Sequence, residues 1–73
     1  MQKRHQEALD LLLKLKDEGY QSAWMFAIIG YNYQELKDKK NALLYFLKAK
    51  EMGYDDQWML DSIKKLEKRK LLP

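Results

Sequence analysis

Apolar and polar positions follow one another along this chain with the period of an α-helix, in four stretches separated by short polar turns. The first, residues 4–18, carries Ala8, Leu9, Leu11, Leu12, Leu13 and Leu15. The second, residues 23–36, sets Phe26, Ile29, Gly30 and Tyr33 on one face at i, i+3, i+4 and i+7. The third, residues 39–52, places Ala42, Leu43, Phe46, Ala49 and Lys50 at the spacing of the first. The fourth, residues 57–70, has a narrow stripe of Met59, Ile63 and Leu66. Gly19 and Gly53 follow the first and third stretches, where a helix end needs left-handed backbone. Ser22 is the expected N-cap of the second helix, and Asp55 and Asp56 cap the fourth with a favourable charge. Lys37-Asp38 is too short for anything but an antiparallel return. The pattern predicts an all-α fold of four antiparallel helices stacked in sequence order.

The stretches are copies at an offset of 34 residues. Ala8-Leu9 returns as Ala42-Leu43, Gly19-Tyr20 as Gly53-Tyr54, and Trp24-Met25 as Trp58-Met59. Leu13-Lys14, Lys16 and Ile29 return as Leu47-Lys48, Lys50 and Ile63, so ten of the 22 positions from Ala8 to Ile29 are identical without a gap. A fixed period of this size signals stacked supersecondary units.

With these residues the chain resembles the tetratricopeptide repeat (TPR) family, whose unit is a helix–turn–helix of 34 residues. The match is best from Ala23 to Tyr54. Phe26, the Ile29-Gly30 pair and Tyr33 take the motif positions of the first helix, and Ala42, Phe46 and Ala49 those of the second. Gly30 and Ala42 are small because two helix axes approach there, with Phe26, Tyr33 and Phe46 filling the space beside them. Tyr54 stands where the family has proline, and Tyr20 one repeat earlier. The segment Gly53-Tyr54-Asp55-Asp56-Gln57-Trp58 is similar to the junctions of some bacterial repeat arrays. The resemblance implies a short right-handed superhelix in one domain, 1–73. Residues 1–20 would be the second helix of a preceding repeat, 21–54 a complete repeat, and 55–73 a C-terminal capping helix.

The two ends differ. Lys64 replaces Gly30 and Glu67 replaces Tyr33 one period on, which suits a solvated cap and opposes end-to-end stacking. Helix 1 keeps Ala8 and a broad leucine surface, so the chain reads as the C-terminal end of a longer array. Exposure of Ala8 with part of the Leu11–Leu12–Leu15 surface leads to the expectation of a weak homodimer, two copies meeting through helix 1.

Composition narrows the function. No apolar run approaches the length of a membrane span, and the N-terminus lacks a signal-peptide core. There is no cysteine, which fits a cytoplasmic setting. The formal charge of +3 comes from the tail. Lys64, Lys65, Lys68, Arg69 and Lys70 against Glu67 give a local +4, and the rest sums to −1. Cations at a helix C-terminus explain this placement, and the tail lacks adjacent stacking groups, so nucleic-acid binding is not expected.

Nothing points to catalysis. His5 is the single histidine and reads as a solvated residue on a fraying helix end, with no nucleophile or metal-ligand spacing beside it. Asp55, Asp56 and Asp61 are explained by capping and surface position rather than by metal or acid–base work. Ser22 and Ser62 form no triad with His5, and the glycines stand singly rather than in a phosphate loop. No enzyme activity, metal or cofactor is expected.

A binding face is the remaining candidate. Trp24, Ala27 and Tyr31 lie roughly 60–100° around helix 2 from the core stripe, with Trp58, Asp61 and Lys65 at the equivalent positions of helix 4. The resemblance implies that this face lines a concave groove. Trp and Tyr offer large, rigid contact area with a polar tip. Ala27, Tyr31 and Asp61 stand where members that bind acidic C-terminal peptides use lysine and asparagine. The expectation is a protein–protein interaction module with a peptide or partner protein in the groove; the alternative is a structural cap or self-associating end with no ligand of its own.

Overall fold

A computed structural model describes the backbone of residues 2–71 and the side chains of residues 4–67. The chain forms four helices and is all-α among the described residues: α1 (Gln2–Asp17), α2 (Ala23–Glu35), α3 (Lys39–Glu51) and α4 (Gln57–Leu71). They pack as a stack of helical hairpins, with α2 against α1 and α3, and α4 against α3.

Helix ends are fixed by local chemistry. α1 closes with Gly19 N–H donating to the Lys16 carbonyl and Tyr20 N–H to that of Leu15, each at 3.0 Å. Gly53 and Tyr54 repeat this on Lys50 and Ala49. Both are Schellman ends, and both glycines adopt positive φ, 101° and 105°. α2 ends in the same way without glycine. Lys37 N–H meets Gln34 O and Asp38 N–H meets Tyr33 O, with Lys37 at φ 68°. A left-handed lysine costs about 1–2 kcal/mol, and the following residue offsets part of it. Asp38 is the N-cap of α3, accepting from the Asn41 backbone N–H at 3.2 Å and from its side-chain amide at 2.8 Å. Ser22 caps α2 as expected, its hydroxyl oxygen accepting from Met25 N–H at 3.1 Å. Asp56 starts α4 differently from the expectation. Its carbonyl accepts from Met59 and Leu60 N–H, while its carboxylate accepts from the Tyr54 hydroxyl at 2.6 Å.

The core runs through all four helices: Leu9 of α1, Met25, Phe26 and Ile29 of α2, Ala42, Phe46 and Ala49 of α3, Met59, Ile63 and Leu66 of α4. Its tightest point is Gly30. A Cβ there would lie 2.6 Å from the Phe46 ring and 3.1 Å from the Ala42 carbonyl oxygen. The small residue is a steric necessity, since the helices are close enough for backbone to meet ring. Beside it Tyr45 stacks on Phe26 at 5.9 Å and on Tyr33 at 5.6 Å.

Helix 1 is covered more than its sequence suggested. Leu9 is buried, and Leu12, Leu13 and Leu15 are half-buried against the core. The broad leucine surface expected there contracts to Ala8 and Leu11, which are exposed. Lys64 and Glu67 are exposed on α4, the positions that Gly30 and Tyr33 occupy on α2.

Gly30→Ala is expected to destabilise the fold by about 1–3 kcal/mol through overpacking against Phe46, with Gly30→Leu worse. Each kcal/mol lowers Tm by about 4–8 °C in a domain of this size. A melt of Gly30→Ala within two degrees or so of the parent would refute the contact.

Candidate functional site

The aromatic residues of α2 and α4 meet on one side of the stack. Tyr31 and Trp58, 27 residues apart, stand edge to face at 6.0 Å with planes at 90°. They keep 39% and 37% of their surface open to solvent, enough for a partner to touch both. The Trp58 ring rests against Phe46 at 5.8 Å, so its underside is core and its outer side is surface.

Polar groups hold the ring in place. The Trp58 indole N–H donates to the Tyr54 hydroxyl at 3.1 Å, and that hydroxyl donates to Asp56 at 2.6 Å. The short bond to the Asp56 carboxylate raises the Tyr54 phenol above its ordinary range, because ionisation would forfeit the donor. Gly53 makes the turn that brings Tyr54 under the first turn of α4. Across the junction with α2, the Ser62 hydroxyl lies 3.4 Å from the Gln34 side-chain amide oxygen. An aromatic fixed on several sides loses little conformational entropy when it binds.

His5 extends the strip, and here the structure corrects the sequence reading. Its ring is largely covered and meets Tyr31 edge to face at 5.8 Å. Nδ1 lies 3.1 Å from Asn32 Oδ1. The Asn32 amide N–H₂ is already donating to the Ile28 carbonyl at 2.9 Å, so Oδ1 is the acceptor and His5 Nδ1–H the donor. Nε2 stands 3.9 Å from Glu35, an ion-pair distance when the ring is protonated. Asn32 is buried, so this bond satisfies a polar group that helix packing took from water. The histidine is part of the α1–α2 seam, not a solvated end.

The other sequence candidates separate. Ala27 is fully buried and offers no surface. It lies one turn before Gly30, which meets α3, and two before Gln34, which meets α4, so that side of α2 is closed by both helices. Trp24 is largely exposed, about two turns from Tyr31 along α2. Asp61 and Lys65 are exposed on α4, and the Asp61 carboxylate accepts from the Gln57 amide at 2.9 Å. Tyr54, Phe46 and His5 belong to the site and were not in the expected set. A polar Asn32 amid apolar helix positions was the one signal in the sequence that a buried partner existed.

Among the described residues no three His, Asp or Glu side chains come together as metal ligands. What the arrangement offers is shape: a fixed aromatic strip, His5–Tyr31–Trp58–Tyr54, with Glu35, Asp61 and Lys65 as charges along it. Comparison with protein-family models, curated proteins and solved structures finds no match to this chain.

Removing the imidazole leaves Asn32 Oδ1 buried without its donor. His5→Ala is therefore expected to lower stability by about 1–3 kcal/mol, read by chemical denaturation, whereas Glu35→Gln changes little. A His5→Ala variant as stable as the parent would return His5 to the solvent.

Proposed function

We propose that this chain is a protein–protein interaction module of tetratricopeptide type that receives a peptide or partner protein on its aromatic side. The observation that carries the reading is the Tyr31–Trp58 pair, fixed from beneath by Phe46 and from the side by Tyr54, yet open outward. Aromatic anchors in fixed positions supply most of the energy in such contacts. Trp24, Asp61 and Lys65 extend the surface and set its charge preference. The family resemblance rests on the 34-residue period and on Gly30 against Ala42 and Phe46.

No enzyme activity, metal or cofactor belongs to this reading, and its setting is the cytoplasm. Among the described residues no helix is long and apolar enough to cross a membrane. The tail cations Lys68, Arg69 and Lys70, on which a nucleic-acid reading would rest, lie outside the described side chains.

A second reading has its own support. Exposed Lys64 and Glu67 at the positions of Gly30 and Tyr33 fit a terminal cap with no ligand, and exposed Ala8 and Leu11 fit a self-associating end. The two readings part at the aromatic strip, which a cap does not need.

Peptides selected on the chain from a random display library provide the test, followed by titration into isotope-labelled protein. Amide and indole shifts should gather at Trp24, Tyr31 and Trp58, and Trp58→Ala should weaken binding about tenfold. Shifts gathered instead on the outer side of α3, at Leu44 and Leu47, would overturn the assignment.

A further inference from the structure

Away from the aromatic strip, one hollow gathers charge of a single sign. It lies where the end of α1 meets α3 over the start of α2, and it is lined by Lys16, Gln21, Phe26, Leu44, Tyr45 and Lys48. Two lysines line it and no carboxylate does. Lys16 keeps only 24% of its side-chain surface open, little for a residue type that is mostly exposed. Its ammonium lies 5.9 Å from the centre of the Tyr45 ring, and that of Lys48 lies 5.3 Å from the centre of the Phe26 ring. The two rings are themselves stacked at 5.9 Å, so both ammonium groups stand over one aromatic wall.

Cation–π contact and the packing of the lysine stems favour this placement. Like charges brought together over one wall repel each other, and an anion between them relieves that repulsion. Among the described residues, Asp17 is the one acid within ion-pair reach of either lysine, 3.3 Å from the Lys16 ammonium. It stands outside the lining, with 74% of its side chain exposed, and it leaves Lys48 unmatched. The hollow measures about 190 Å³. Pockets for drug-sized ligands begin at about 300 Å³, so this one suits a small group rather than a nucleotide or a large cofactor. Its donors are the two ammonium groups and the Gln21 side-chain amide. A phosphate monoester answers them with three acceptor oxygens and close to two negative charges, where a carboxylate has one charge. Leu44, 59% exposed beside the lysines, offers an apolar contact that free phosphate leaves unused.

We propose that this hollow binds an aryl phosphate, its phosphate on Lys16, Lys48 and Gln21 and its ring against Leu44 and Tyr45. The site shares no residue with the aromatic strip, so it stands or falls independently of peptide binding there. Asp17 competes with the ligand for Lys16 and sets an upper limit on affinity. The same chemistry is carried by a free aryl phosphate and by a phosphotyrosine side chain.

Phenyl phosphate titrated into the isotope-labelled chain provides the test, with inorganic phosphate, benzyl alcohol and a short phosphotyrosine peptide as separate arms. Signals of the Lys16 and Lys48 side chains and of the Gln21 amide should move with phenyl phosphate, less with inorganic phosphate, and not with benzyl alcohol. Lys16→Met and Lys48→Met, which keep the stems, should each weaken binding about tenfold, and Lys48→Arg should restore it. Lys39→Met and Lys40→Met, exposed on α3, should leave it unchanged. Asp17→Asn should tighten it several-fold by releasing Lys16, and Leu44→Ala should bring phenyl phosphate down to the affinity of inorganic phosphate. A phosphotyrosine peptide binding more tightly than phenyl phosphate identifies a protein-borne ligand; equal affinity identifies a small molecule. The amide spectrum of each variant verifies that it is folded. Absence of shifts at Lys16, Gln21 and Lys48 at tens of millimolar phenyl phosphate would overturn the proposal. So would an equal loss in all four lysine-to-methionine variants, the mark of diffuse attraction to a basic surface.

Discussion

The structure depends on one close approach, that of the Gly30 backbone to the ring of Phe46. A side chain on Gly30 would occupy space the ring already fills. Because glycine leaves room for the ring at this crossing, α2 and α3 form the most intimate pair in the stack. Phe46 also meets Trp58 of α4 at 5.8 Å, with the two ring planes nearly perpendicular. The same phenyl ring therefore sets the α2–α3 spacing and supports the exposed aromatic strip. A small domain has little stability to spare, and here it concentrates fold and surface chemistry on shared atoms.

Local rules do the rest. Three helices end in one hydrogen-bonding pattern, twice with glycine and once with Lys37 in a strained left-handed conformation. The exception sits where Asp38 must begin α3 at once, so the chain turns in the fewest residues and α3 returns antiparallel to α2. The Gly53 turn serves the site more directly. It places the Tyr54 hydroxyl between the Trp58 indole and the Asp56 carboxylate, converting a helix start into a brace for an exposed ring.

Much of this was legible in the chain because it is encoded by spacing. Helical periodicity located four helices, and glycine followed by tyrosine marked two of the turns. The pairing of Gly30 with Ala42 and Phe46 followed from a repeat in which small and large residues alternate across a contact. What escaped was contact between distant polar groups. His5 meets Asn32 because α1 and α2 lie antiparallel, a fact of tertiary geometry with no local signature. Ala27 shares a turn with exposed aromatics, but the side it faces is decided by α3 and α4 packing, which a single-helix wheel cannot resolve. Asp56 looked like a helix cap and its carboxylate serves Tyr54 instead, since a hydroxyl two residues away competes with the backbone.

The Gly30–Phe46 contact and the Trp58 surface form one mechanical unit. The chain contains two tryptophans, so the two indole N–H resonances report separately on a residue tied to Phe46 and on one that is not. The Gly30→Ala variant, studied under conditions where it stays folded, supplies the perturbation. The Trp58 indole signal should move while that of Trp24 stays in place. A Trp58 signal unchanged alongside the loss of stability would contradict it.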